Sequence, residues 1–189
     1  FASQRNFSYA QVSDDIDWYL WLDSDDRVSE ESAARIRTLA DKGLEEGIDG
    51  FLFDYQYAFD ATGRPTTVLK RERLLRKSLP WTWKYEIHEV CLIEGEKVVP
   101  NMVYDPGVVI MHRKHEMPKE FNKPRRNLDI VERVIHRYQN DVRMLFYAAN
   151  EYLAYGDNKN AKKYYRKVLR QKDSWSEQRF LAALRMGYM

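Results

Sequence analysis

Cysteine is all but missing from this chain: Cys91 is the only one in 189 residues. An intramolecular disulfide is thereby excluded, and a cysteine-built zinc site has too few ligands. The lack fits a reducing compartment, and a cytoplasmic location is the expectation. Charge of one sign is also lacking. The formal net charge is +2, so bulk electrostatics gives no reason to expect nucleic acid as a partner. No apolar run approaches the ~20 residues of a membrane span, and no signal-peptide pattern stands out. What is present is a globular, soluble composition, 44% hydrophobic and 32% charged.

The tract Trp18-Tyr19-Leu20-Trp21-Leu22-Asp23-Ser24-Asp25-Asp26 is the most telling. An apolar run too short for a typical helix leads into crowded acids. It predicts a buried strand, over 17–22, that delivers carboxylates to one end of a sheet. Ligands of open α/β sheets sit outside the carboxyl ends of the strands. Hard oxygen ligands gathered there suit Mg²⁺ or Mn²⁺ and, through the metal, a diphosphate. Mutual repulsion of the aspartates is a further reason to expect a cation. The plain alternative is a solvated turn that caps the next helix. An EF-hand loop is excluded, because Val28 and Ala34 occupy the glycine and glutamate positions.

Around this tract the pattern predicts a short helix over 3–12 and a helix that starts at the N-cap Ser29 and stops at Gly43. Phe51, Phe53, Tyr55, Tyr57 and Phe59 alternate along a strand over 50–59. After the turn residues Asp60-Ala61-Thr62-Gly63, a basic strand over 67–76 returns antiparallel. Lys70-Arg71-Glu72-Arg73 and Arg125-Arg126 read as solvated faces. An aromatic segment from Trp81 reaches His88-Glu89. A hairpin turn falls at Glu94-Gly95-Glu96, and a strand over Val108–Met111 ends at His112. A boundary is expected near Met117-Pro118. Beyond it helical periodicity takes over, with helices near 124–138, 141–155, 158–171 and from 175. Tyr152, Ala161, Tyr165 and Val168 occupy the packing positions of one tetratricopeptide unit, although Asp173 stands where proline is common. One such unit cannot bury its faces alone.

Ala2-Ser3-Gln4-Arg5-Asn6, Asp17-Trp18, Trp21-Leu22-Asp23-Ser24-Asp25-Asp26, and Trp83 with Ile87-His88-Glu89 together resemble a family 2 glycosyltransferase of the GT-A fold. The likeness is to the bacterial branch with a tetratricopeptide-like tail, and it covers about 2–170. It implies an α/β fold, a partial GT-A mixed sheet (1–117) followed by an all-α helical-hairpin tail (118–189). Relatives carry a strand, a loop and an acidic base-binding site before the Arg-Asn helix. The chain opens on Phe1, so an upstream nucleotide-binding segment is expected.

The activity implied is inverting, metal-dependent transfer of a sugar from a nucleotide-sugar donor, UDP-linked, to a saccharide, lipid-linked or protein acceptor. In the family's Asp-x-Asp motif Asp25 binds Mn²⁺ or Mg²⁺, Asp23 faces the nucleotide or the metal, and Asp26 supports them. Arg5 and Asn6 reach toward the diphosphate. Glu89 is the base that takes the acceptor's proton, Glu86 the second choice, and His88 orients the base or contacts phosphate. Trp83 lines the acceptor side, while Trp81 and Tyr85 pack. His112 is a third metal ligand or a diphosphate contact, beside the phosphate-suited Arg113 and Lys114, with a plain strand end as the alternative. His115 is read as exposed. Zinc-protease readings of His88-Glu89 and His112…His115 fail on spacing. The other class of function open to the chain is a non-catalytic interaction module on this scaffold, its tail docking a partner or forming a homodimer.

Overall fold

The computed structural model describes residues 1–93, 99–113, 125–172 and 175–189. Among the described residues seven strands and six α-helices run in the order α1 (Ala2–Ala10), β1 (Trp18–Leu20), β2 (Asp26–Val28), α2 (Glu30–Glu46), β3 (Gly50–Phe59), β4 (Pro65–Arg76), β5 (Trp81–Lys84), β6 (Val90–Ile93), β7 (Met102–His112), α3 (Arg126–Val134), α4 (Val142–Ala154), α5 (Asn158–Arg170) and α6 (Ser176–Gly187). The fold is mixed α/β with its helices gathered toward the C-terminus. The expected turn at Glu94-Gly95-Glu96, the boundary at Met117-Pro118, His115 and Asp173 lie outside the described residues.

The chain divides into two compact units. One comprises Arg5–Thr82 and Cys91–Phe121; the other comprises Phe1–Gln4, Trp83–Val90 and Asn122–Met189. The His-Glu segment therefore groups with the helices.

The first unit holds a five-stranded mixed sheet in the order β1-β4-β3-β7-β2, and β5 and β6 form a separate two-stranded sheet. Strands β3 and β7 run parallel, and the other pairs of the large sheet are antiparallel. Phe51, Phe53 and Tyr55 are buried with Ile36, Leu74, Val108 and Ile110, so the period-two signal marks the core face. The alternation fades outward: Tyr57 is half exposed. The strand expected to be buried over 17–22 is a three-residue edge strand, and Leu20 and Leu22 are exposed.

Helix α2 starts as predicted, with the Ser29 Oγ accepting from Ser32 N at 3.1 Å. It does not stop at Gly43. It runs on to Glu46 and is capped by Gly47 in the left-handed region, at φ 66°. Gly43 serves close packing instead, because a Cβ there would fall 2.8 Å from the Trp18 ring and 2.9 Å from that of Phe51.

Strand β7 begins six residues before the predicted Val108 and passes through Pro106-Gly107 by a bulge. Its register against β3 jumps between Phe53↔Asp105 and Asp54↔Val109. The bulge is pinned by Arg35, whose Nε and Nη2 each donate to Asp105 at 2.7 Å, while Gly107 N donates to the same carboxylate at 2.8 Å.

In the second unit α4 and α5 form a helical hairpin. Asp141 and Asp157 cap the two helices, each side chain accepting from a backbone N–H three residues on. Tyr152, Ala161, Tyr165 and Val168 are buried in its seam, joined by Leu128 and Val131 of α3 and by Ile87 from the aromatic segment. Among the described residues no helix is long and apolar enough to cross a membrane.

Two outcomes are expected. Phe53 is fully buried, so Phe53→Ala should cost about 3–5 kcal/mol in urea unfolding. The Arg35 fork, helped by Gly107 N–H, holds Asp105 below the usual carboxylate range. The stabilisation it brings is complete above the unfolded value, about 3.9, and is lost as pH falls through the lowered folded value. Asp105→Asn should lower the urea midpoint at neutral pH and flatten its acid-side slope between about pH 5 and pH 2.

Candidate functional site

Strand β2 lies antiparallel on the end of β7 with Asp26 opposite His112. Directly opposed residues present their side chains to the same face at close range. A turn closed by Asp26 N donating to Asp23 O at 2.9 Å precedes this pair, and Arg113 N donates to Asp25 O at 2.8 Å. The short edge strand is thus held at both ends, and Asp25, Asp26 and His112 converge. Their ligand atoms lie within 4.8 Å of one another. The group sits at the carboxyl end of β7, one of the two parallel strands.

Asp26 is the anchor. It accepts from Tyr55 OH at 2.9 Å and from Asp23 N at 2.9 Å, and it pairs with Arg73 Nη1 at 3.0 Å. Both charged side chains are buried, at 0% and 1% exposure. The Arg73 guanidinium lies 3.8 Å from the Trp21 ring centre and 4.3 Å from that of Tyr55. It also donates to Trp21 O at 3.3 Å. Burial lowers the pKa of Arg73, and the Asp26 charge opposes that fall. Burial and the neighbouring Asp26 push the Tyr55 hydroxyl well above its ordinary value, so it remains a donor.

This corrects the reading of Lys70-Arg71-Glu72-Arg73 as a solvated face. Arg73 is 1% exposed, among the most deeply buried charged residues of those described. Alternation gives no warning here: Arg73, Leu74 and Leu75 are all buried, where the register of β4 against β3 shifts between Leu74 and Glu72. Tyr55, Tyr57 and Trp21 were likewise not read as site residues.

His112 is stacked on Tyr57, with centroids 5.3 Å apart and planes 4° apart, and is tilted against Tyr55. Its Nδ1 is buried and has no hydrogen-bond partner among the described residues. It faces Asp25 Oδ1 at 3.6 Å and Asp26 Oδ1 at 3.5 Å. These distances are too long for hydrogen bonds. They suit donors sharing one ion, since ligands about 2.0–2.2 Å from a metal lie roughly 3–4 Å from each other. A buried polar atom left unsatisfied costs about 1–3 kcal/mol, and a cation would remove that cost.

Asp23 is not a member of this group. Arg5 Nη2 donates to its Oδ1 at 2.5 Å, and the Arg5 guanidinium lies 4.7 Å from the Trp21 ring centre. Asn6 follows on the same helix, partly buried.

In the helical unit the aromatic segment is tied down residue by residue. Trp83 is 2% exposed. This is a correction: its ring is core and offers no face to a sugar. Tyr85 OH donates to Asp141 at 2.8 Å. Burial and that carboxylate push Tyr85 up to about 12. Glu86, expected on the acceptor side, accepts from Arg137 at 3.1 Å and from Tyr138 OH at 2.9 Å, so both oxygens are engaged. Ile87 is in the core. His88 Nε2 meets Glu151 Oε1 at 2.7 Å, and Arg143 donates to His88 O at 2.9 Å. Glu89 is partly exposed. Tyr85 and His88 both have positive φ, 75° and 48°. Non-glycine residues hold that conformation only where surrounding contacts over-determine it. Glu151, Tyr147 and Arg143 were not read from the sequence as partners of this segment.

No family model and no curated protein matches this sequence.

The buried pair yields a stability test. Arg73→Met strands the Asp26 charge and should cost about 3–5 kcal/mol in urea unfolding. Arg73→Met with Asp26→Leu should recover most of that loss.

Proposed function

We propose that this chain is the metal-binding part of an inverting glycosyltransferase of the GT-A type, with a tetratricopeptide-like tail. It would move a sugar from a UDP-linked donor to a hydroxyl of a saccharide, lipid-linked or protein acceptor. The observation that carries the reading is the buried Nδ1 of His112, unpartnered among the described residues, facing two carboxylates at the carboxyl end of a parallel strand pair. Ligands of α/β sheets gather at that end.

Asp25 and His112 would hold the cation. Asp26, with its other contacts taken by Arg73, Tyr55 and the Asp23 N–H, has one oxygen facing His112 and completes the set. A nitrogen donor beside carboxylates favours Mn²⁺ over Mg²⁺, which prefers oxygen ligands. A divalent cation there would supply positive charge to offset the negative charge of a departing diphosphate. Tyr57 holds the His112 ring by stacking. Arg5, paired with Asp23, adds a second cation on the side where the sequence likeness expects nucleotide. The same likeness assigns the acceptor's proton to Glu89, whose carboxylate would take it from the attacking hydroxyl.

Calorimetric titration with Mn²⁺, alone and with UDP, tests the reading. Wild type should bind, and Asp25→Ala and His112→Ala should each weaken binding at least about tenfold. Glu89→Gln should leave Mn²⁺ binding intact and lower transfer by about 10²–10⁴. Wild type that binds neither Mn²⁺ nor UDP would leave the interaction-module reading in its place.

A further inference from the structure

His88 carries more restraint than a strand-end residue needs. Its ring stacks on Tyr147, with centroids 4.1 Å apart and planes 13° apart. Its Nε2 lies 2.7 Å from Glu151 Oε1, and Asn127 Nδ2 donates to the same oxygen at 3.4 Å. Its carbonyl accepts from Arg143, whose guanidinium lies 4.9 Å from the Tyr147 ring centre. The backbone is held at φ 48°. Three side chains of one helix, α4, thus fix the ring, its edge and its backbone. Glu151 is only 18% exposed, whereas the His88 side chain is 34% exposed. One edge of the imidazole is secured and the other has no hydrogen-bond partner among the described residues.

A carboxylate only accepts. In neutral His88 the hydrogen must therefore sit on Nε2, toward Glu151, which leaves a lone pair on Nδ1. In catalytic and metal-bound histidines the partner of one ring nitrogen decides what the other can do. Here the partner comes from the helical tail.

We propose that Glu151 is a positioning residue that locks His88 as the Nε2–H tautomer, making Nδ1 the hydrogen-bond acceptor for a hydroxyl of a sugar-like ligand. The ligand class rests on the transferase reading above, in which Glu89 keeps the proton-taking role; the tautomer does not rest on it. The tail is then part of the acceptor-binding apparatus.

Nuclear magnetic resonance of the full chain with ¹⁵N-labelled histidine tests this, with the His88 signals assigned by their loss in His88→Gln. At a pH where the ring is neutral, wild type should show a protonated Nε2 and an unprotonated Nδ1. Glu151→Gln should give a mixture of tautomers, because an amide can donate or accept. Adding glucose as the hydroxyl-bearing probe should move the His88 Nδ1 signal and leave the exposed His136 unmoved. Glu151→Gln should raise the midpoint of that titration in proportion to the Nε2–H tautomer lost, about twofold for an even mixture. An Nδ1–H tautomer in wild type overturns the proposal without recourse to any variant. So does a single Nε2–H tautomer retained in Glu151→Gln. A glucose-insensitive Nδ1 overturns the ligand role. None of these readouts needs Mn²⁺ or UDP, so failure here and failure of the metal-dependent reading are told apart.

Discussion

The buried ion pair between Arg73 and Asp26 is the contact on which the first unit turns. Two charges at about zero exposure are costly to desolvate, and an apolar pair of like volume often does as well energetically. What the apolar pair would not do is aim an oxygen. Arg73 and the Asp23 N–H occupy one side of the Asp26 carboxylate, and Tyr55 donates to the other oxygen, which faces His112. The aromatic rings of Trp21 and Tyr55 enclose the guanidinium, replacing water with π-faces that attract a cation. Strand β2 is only three residues long and sits at the sheet edge. Its place beside β7 depends on this anchored carboxylate as well as on ladder hydrogen bonds.

The helical unit shows a related economy. The stretch from Trp83 to Val90 has little regular structure, yet Tyr85, Glu86, Ile87 and His88 each have a partner or a core position among α3, α4 and the turn joining them. Two of its residues occupy the left-handed region, where side chains other than glycine are strained. The segment holds its shape because the helices supply contacts that outweigh that strain. A helical hairpin of this kind must bury its second face somewhere. Here α3 and Ile87 cover part of it. The tail thereby does double duty, as a packed unit and as the mould for Tyr85, Glu86 and His88.

Much of the framework was legible in local pattern. The alternating aromatics over 50–59, the Ser29 cap and the helix starts near 141 and 158 each rest on interactions within a few residues of sequence. Local rules therefore place them. The misplaced features involve partners far apart in the chain. Gly43 looked like a stop but makes room for Trp18 and Phe51. Trp83 looked like a sugar platform but fills a core. Arg73 looked solvated because it sits in a charged run, and both the register shift that buries it and its counter-charge, Asp26, 47 residues earlier, involve distant partners.

The sequence by itself determined that acids would crowd after a short apolar strand, that His112 would end another strand, and that helices would close the chain. Hydrophobic period and capping chemistry act over one turn or one strand, so these could be read directly. Tertiary structure alone decided that Asp25, Asp26 and His112 meet while Asp23 turns to Arg5. It alone decided that Glu151 meets His88. Such meetings depend on sheet register and helix packing, which sum many weak contacts across distant parts of the chain. No short stretch of sequence contains that sum.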